Sequence, residues 1–336
     1  MKIFSYTSAQ YEHLPCNFCG EDNADTIATR DRNGYSVRTL LCRNCGLLYI
    51  DPRMTPQWYQ LYYEQEYRHE MARFKGLNRA QTYTSEILFN HAKKRTKPFF
   101  ENLRPYVNNG LTIEVGSSTG GVLAGFRDVF GSEVLGIEPS PEEAQYAESQ
   151  GVRTIQSMFE SLGEGVVPKA ENIISLRALN HMLDFHSFLV WANKHLAFDG
   201  RLILEVMHFP NVVEHYGYLP RGIQIDHVFM FTPETLRQFL EALGFTVMTE
   251  GVDRKAEHMY IVAKKTAEVS AEGARNKKYT GYSAVRAWLN QTPSSYLTFL
   301  FKYDIKKKIK VLSYKIRRTL KHLLVLFGLY REGKRG

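Results

Sequence analysis

From residue 110 onward, short apolar runs alternate with helically periodic segments, and this alternation leaves few folds open to the chain. Leu111-Thr-Ile-Glu-Val115 runs into Gly116-Ser-Ser-Thr-Gly-Gly121, after which Val122 to Phe130 has helical spacing. Glu133 to Glu138 repeats the strand pattern, and Pro139-Ser-Pro141 opens a helix over Glu142 to Gln150. Further strands are expected at Val152 to Ile155, Asn172 to Leu176 and Arg201 to Val206, with a helix at Phe185 to Leu196. Strands that alternate with helices pair in parallel and are covered on both faces, because each crossover lays a helix on the sheet. A helix from Thr232 to Leu243 precedes strands from Gly244-Phe245 to Thr249 and from His258 to Ala263. Their short connection makes those two strands antiparallel neighbours. The expected fold is α/β, with a mostly parallel sheet carrying one antiparallel strand near its C-terminal edge.

In such a sheet, ligands bind at the carboxyl ends of the strands where the winding direction switches. The first strand-to-helix loop holds Gly116, Gly120 and Gly121, and Glu138 ends the next strand at the offset where a carboxylate reaches a ribose diol. A dinucleotide loop needs a glycine two residues after the first so that backbone can approach the pyrophosphate, and Ser118 stands there. The loop therefore suits an adenosine cofactor without phosphates better than NAD. A glycine turn and a surface Glu in an ordinary α/β domain is the bland alternative.

All four cysteines fall in the first 45 residues as Cys16-Asn-Phe-Cys19 and Cys42-Arg-Asn-Cys45. Two short knuckles joined by a β-hairpin bring four thiolates to one point, the donor set of structural zinc. Gly20 and Gly46 directly follow the knuckles and suit their tight turns. A redox dithiol would need only one such pair within a βαβ pattern, and neither pair has one. With four cysteines as ligands no position is open to water, so the metal should hold structure and perform no chemistry.

Several stretches together resemble class I S-adenosylmethionine (SAM) dependent methyltransferases with an N-terminal zinc module, the group that includes nucleotide-sugar C-methyltransferases. They are Cys42-Arg-Asn-Cys45-Gly-Leu-Leu-Tyr-Ile-Asp-Pro52, Ile113-Glu-Val-Gly-Ser-Ser-Thr-Gly120, Val134-Leu-Gly-Ile-Glu138-Pro-Ser, Leu179-Asn-His181-Met-Leu-Asp184 and the Gly244-Phe245 hairpin. The resemblance implies a Rossmann-like sheet in which Glu114, Gly116, Ser118 and Gly120 line the methionine end of SAM and Glu138 binds the ribose. It places Ser157, Met158 and Phe159 beside the adenine, although Met158 and Phe159 suit a core equally. Asn180 would border both cofactor and acceptor.

Methyl transfer from a sulfonium leaves the protein to align the acceptor and remove its proton. His227, in Ile225-Asp226-His227-Val-Phe-Met-Phe231, aligns with the histidine of a Tyr-x-Glu-His motif in the sugar C-methyltransferases, Asp226 replacing the Glu. An acidic neighbour can orient a histidine and stabilise its charged form. His181 is a second candidate base, while Glu205 and His208 are weaker ones. Any one of the 11 histidines can equally be a satisfied structural imidazole. Gln224 and Ile225 replace the flanking residues of the motif, and the long C-terminal substrate domain of those enzymes is absent from this sequence. O-methylation of a glycan hydroxyl therefore stands beside C-methylation as a reading.

The net charge is +8, but residues 301–336 hold 12 Lys and Arg against 2 Asp and Glu, so the rest of the chain is slightly acidic. A nucleic-acid surface spread over the catalytic body is thereby disfavoured. Ile305, Ile309, Leu312, Ile316, Leu320, Leu323, Leu324 and Phe327 form a helical stripe opposite a basic face. That helix can lie on an anionic membrane through residues 302–327, pack on the body or a second copy, or bind RNA. The N-terminus lacks the pattern of a secretory signal and no run of 18 apolar residues exists, which points to a cytoplasmic protein, monomeric or homodimeric, at most peripheral to the inner membrane face. The expected parts are a zinc ribbon (1–54), a helical lid or connector (55–108), the SAM domain (109–265), a linker or loose helices (266–295) and the basic tail (296–336). The expected activity is methyl transfer to a small-molecule or glycan acceptor, a nucleotide sugar or lipid-linked saccharide. RNA methylation and a non-catalytic scaffold are the alternatives.

Overall fold

The structure, a computed structural model, describes residues 4–67, 69–70, 84–163, 165–253, 257–269, 275 and 277–292. The chain begins with β1 (Tyr11–Glu12), β2 (Ala24–Arg30), β3 (Ser36–Cys42), β4 (Leu48–Ile50) and β5 (Arg53–Met54), then α1 (Pro56–Gln65) and α2 (Ser85–Leu103). β6 (Thr112–Val115), α3 (Gly121–Phe130), β7 (Val134–Glu138), α4 (Pro141–Ser149), β8 (Thr154–Gln156), β9 (Ala170–Leu176), α5 (Phe185–His195) and β10 (Leu196–Met207) follow. After them come α6 (Phe209–Tyr216), α7 (Leu219–Gly222), β11 (Phe229–Met230), α8 (Pro233–Ala242), β12 (Phe245–Val252), β13 (His258–Lys265) and α9 (Gly281–Gln291).

Seven strands form the central sheet in the order β12-β13-β10-β9-β6-β7-β8. β13 runs antiparallel to both neighbours and the remaining pairs are parallel, as the sequence pattern predicts. β6 and β7 are buried along their whole length, because helices cover both faces. At the margins β12 alternates between buried and more exposed residues, and β8 has only three residues; such edges resist pairing with other chains.

On one face, α2 and α3 cover Ile174, Leu176, Ile203 and Val262 with Phe89, Phe100, Leu123 and Phe126. α2 presses so closely on α3 that a methyl group on Gly121 would lie 2.4 Å from the Phe89 carbonyl oxygen. Part of the expected lid is thus a core layer, because Phe89, Phe100 and Leu103 are buried against the sheet.

The N-terminal module belongs to the opposite face and is not a free-standing ribbon. Phe18, inside the first cysteine knuckle, stacks on Phe239 of α8 at 4.0 Å between centroids and lies 6.0 Å from Phe185 of α5. Burying such a ring stabilises the fold by about 1.5–3 kcal/mol. The module's own sheet has the order β11-β4-β3-β2, so its outer strand is donated by the loop that follows β10. The expected linker at 266–295 contains α9, with Gly281 and Val285 buried. The Tyr282 hydroxyl donates to Asp25 Oδ2 at 2.8 Å, tying α9 to the module. Among the described residues no helix is long and apolar enough to cross a membrane. The tail at 296–336, with its amphipathic stripe over 302–327, lies outside the described residues.

Candidate functional site

The four predicted zinc ligands converge. Cys16, Cys19, Cys42 and Cys45 are buried, and their sulfurs all lie within 4.8 Å of one another. Cys16 and Cys45 are 3.5 Å apart, as are Cys19 and Cys42. Four thiolates bound at about 2.3 Å stand roughly 3.8 Å apart in a tetrahedron, so the cluster has the size to hold zinc. Each knuckle closes in the same way, Gly20 N–H donating to the Cys16 carbonyl at 2.8 Å and Gly46 N–H to that of Cys42 at 2.9 Å. Both glycines adopt left-handed backbone that suits residues without a side chain.

The loop after β6 forms a cradle at the carboxyl ends of the parallel strands. Gly116, Ser118 and Gly120 all have positive φ (77°, 47° and 78°), which turns the loop sharply enough for Gly120 to cap α3. Glu138 stabilises the turn: its carboxylate accepts from Ser118 N–H and Ser140 N–H, each at 2.8 Å. Burial pushes its pKa up to about 7, although the bonds from Ser140 and Ser118 act against the rise. Glu114 is 1% exposed. Burial raises its pKa well above the usual carboxylate range, and Oε2 has no hydrogen-bond partner. The Ser117 hydroxyl is likewise buried without a partner.

Four further residues were expected at this cleft. Phe159 is buried edge-on against Phe188 and Trp191, which makes it core. Met158 is half-exposed, and the Ser157 hydroxyl donates to the Met158 carbonyl at 2.8 Å. Asn180 has both ends of its amide engaged by main chain: Nδ2 donates to the Phe229 carbonyl at 2.8 Å and Oδ1 accepts from Met207 N–H at 3.1 Å. It braces β11 against the end of β10.

Next to the cradle lies a pair of histidines. Ala178 adjoins Gly116, whose added Cβ would fall 2.9 Å from the Ala178 Cβ, and His181 N–H donates to the Ala178 carbonyl at 2.9 Å. The rings of His181 and His227 are nearly perpendicular, with centroids 4.6 Å apart. His181 Nδ1 lies 3.0 Å from the Asp226 carbonyl oxygen, which can only accept, so Nδ1 donates to it. The Tyr63 hydroxyl of α1 is 3.1 Å from the same Nδ1. The Asp226 carboxylate pairs with His181, at 3.6 Å, and also stands within 4.8 Å of a ring nitrogen of its chain neighbour His227. Burial outweighs the charging of His227 expected from Asp226. Burial, then the charges of His181, Arg32 and His258, push the His227 pKa well below the ordinary imidazole value. The neutral ring can accept a proton, and the same shift makes it a weaker base than an exposed imidazole. The N-terminal module fixes this loop: Ile50 N–H donates to the Val228 carbonyl at 3.0 Å, and the Tyr59 hydroxyl donates to that of Ile225, also at 3.0 Å.

A family described as "Methyltransferase domain" matches residues 78–250, a little over half of the 336 residues. The chain belongs to the methyltransferase domain family. Among curated proteins it is similar to the C-methyltransferase NovU of Streptomyces niveus, 29% identical over 126 residues that make up 33% of this chain and 30% of that protein. The match thus spans less than a third of the relative's length. Among solved structures, a SAM-dependent methyltransferase from Archaeoglobus fulgidus is 16% identical with a TM-score of 0.44, covering 54% of this chain and 99% of that one. A putative SAM-dependent methyltransferase from Listeria monocytogenes is 15% identical with a TM-score of 0.42, covering 53% and 99%.

The cleft of this methyltransferase fits SAM in donor set. Glu138 stands at the strand end where a ribose diol is met, and the unpartnered Glu114 Oε2 is a buried acceptor able to receive an ammonium. The sequence reading missed Tyr63, Arg95 and Arg177. Arg177 was the most accessible of them, since it directly follows an expected strand. Glu205, a weaker expected base, is paired: Arg177 reaches it at 3.1 Å through Nε and Nη2, and Arg95 Nη1 lies 2.6 and 3.0 Å from its oxygens. Burial alone would raise the Glu205 carboxyl, but Arg177 and Arg95 outweigh it and hold the group below the usual carboxylate range, leaving it a poor base. His208 caps α6, its Nδ1 accepting from Asn211 N–H at 3.1 Å.

Proposed function

We propose that the chain is a SAM-dependent methyltransferase acting on a hydroxyl or carbon acid of a small-molecule or glycan acceptor, a nucleotide sugar or a lipid-linked saccharide. The observation that carries this reading is the His181–His227 ring pair, with 4.6 Å between centroids, joined to the glycine cradle through Ala178. When bound, SAM supplies an activated methyl group on a sulfonium. The chain's residues do the rest. Glu138 holds the ribose hydroxyls and Glu114 the ammonium, while the cradle fixes the depth of binding. His227 takes the acceptor's proton as the new C–O or C–C bond forms and the S–CH3 bond breaks. His181, oriented by the Asp226 carbonyl and Tyr63, closes the pocket and stands next in line for the proton. Zinc on the four cysteines would act only on shape, by holding the module whose β4 carries β11 and the His227 loop. The similarity to a named C-methyltransferase supports a carbon acceptor, and the basic stripe at 302–327 supports contact with an anionic membrane where lipid-linked saccharides reside.

The test is transfer of labelled methyl from SAM to a panel of nucleotide sugars and lipid-linked saccharides. His227→Gln is expected to lower kcat by about 10²–10⁴-fold, the usual share of a general base, with SAM affinity unchanged. Full activity in this variant would refute the role given to His227.

A further inference from the structure

Beneath α2 lies an unusual set of buried ionisable groups. Glu114 pairs in register with Ile174, which in turn pairs with Ile203. Residues in register share a face, and so does the residue two further along, so Glu114 and Glu205 both project towards α2. Both are nearly inaccessible, at 1% and 3% exposure. Two cations meet them. Arg177 is committed: its fork matches both oxygens of Glu205, and Nη2 also lies 3.6 Å from Asp253 Oδ2. Arg95 approaches Glu205 from α2 through Nη1, with its side chain 23% exposed, and it is also the cation acting on Glu114. Once Glu205 is matched by Arg177, Arg95 is not required to neutralise it. A guanidinium presents five donors, enough to keep the Glu205 contact and take another carboxylate.

The amino-acid end of SAM is a zwitterion with an ammonium and a carboxylate on one carbon. It needs one acceptor and one cation side by side, away from bulk water. We propose that Arg95 is the residue that receives the methionine carboxylate of SAM, while Glu114 Oε2 receives the ammonium. This rests on the SAM reading above. Glu205 becomes a positioning residue, holding the Arg95 guanidinium toward the strand ends, and Arg177 stabilises Glu205 in turn. An arriving ammonium favours the ionised form of Glu114, and charge then alternates along the wall, so that each charge of the cofactor meets its opposite.

The test uses two ligands that differ only in the carboxylate: S-adenosylhomocysteine and its decarboxylated analogue, which keeps the amine. Calorimetry on the zinc-loaded full chain is expected to show the analogue binding about 10- to 100-fold more weakly, the loss that a charge-assisted bond of roughly 1.5–3 kcal/mol implies. In Arg95→Met the two ligands should bind within about threefold of each other, the homocysteine form having fallen and the analogue holding. Arg95→Lys, which retains the charge but not the fork, should give an intermediate ratio and carries the test if the Met variant does not fold. Equal affinities in the wild type, or a ratio unchanged in both variants, would overturn the assignment of Arg95. Failure of the wild type to bind either ligand would instead remove the SAM reading itself.

Discussion

Replacing Asn180 by alanine separates a structural brace from a cofactor contact. The amide is 2% exposed, and its two hydrogen bonds, to the Phe229 carbonyl at 2.8 Å and from Met207 N–H at 3.1 Å, are both buried. Truncation leaves a buried donor and a buried acceptor without partners, each costing about 1–3 kcal/mol, so the fold should lose about 2–6 kcal/mol. For a domain of this size that corresponds to a fall in Tm of roughly 5–15 °C. Differential scanning calorimetry of the zinc-loaded protein measures the loss, and titration with S-adenosylhomocysteine well below the transition measures the site. Affinity should stay within about threefold of the wild type, because neither amide atom is spare for a ligand. A Tm within 2 °C of the wild type together with an affinity at least tenfold weaker would refute the reasoning and return Asn180 to the cofactor.

Two further outcomes follow from the same structure. Stripping zinc should expose the His227 loop, because β11 hangs on β4 of the metal module; hydrogen exchange over residues 223–231 should accelerate on chelation, and unchanged protection after verified metal loss would contradict the coupling. SAM affinity should rise with pH through about 7, since Glu138 must be ionised to accept the ribose hydroxyls and its pKa stands near 7 without ligand. The stability that this group lends the free protein has the opposite sign: with its pKa raised from 4.5, that contribution is complete below 4.5 and lost as pH rises through about 7. Calorimetric binding between pH 6 and 8 in buffers of different ionisation enthalpy checks the proton release, and flat affinity would contradict it.

The parallel sheet was legible because buried parallel strands are near-continuous apolar runs and each ends at a turn or helix start; Val134–Glu138 followed by Pro139-Ser-Pro141 is an instance. The convergence of the four cysteines was legible from spacing alone. The fusion of the module to the body was not, since Tyr49 pairs with Phe229 and Phe18 stacks on Phe239 across most of the chain's length. Such pairings leave no local signal. Adjacency showed only part of the histidine pair: Asp226 precedes His227, and its ion pair with the distant His181 left no local signal. Arg95 was illegible for a related reason. It sits on a helix already explained by Phe89 and Phe100, and only the register of Glu114 with Ile174 and Ile203 shows which wall it faces. The docking of α9 likewise depends on distant partners, Asp25 through Tyr282 and Gln238 through the Gly281 N–H.

Calorimetric titration of SAM into the zinc-loaded wild type and into Glu138→Ala tests the central claim most directly. The account predicts micromolar binding to the wild type and a loss of at least tenfold in the variant. A folded wild type that takes up no SAM would contradict it, leaving a methyltransferase-like scaffold in place of an enzyme.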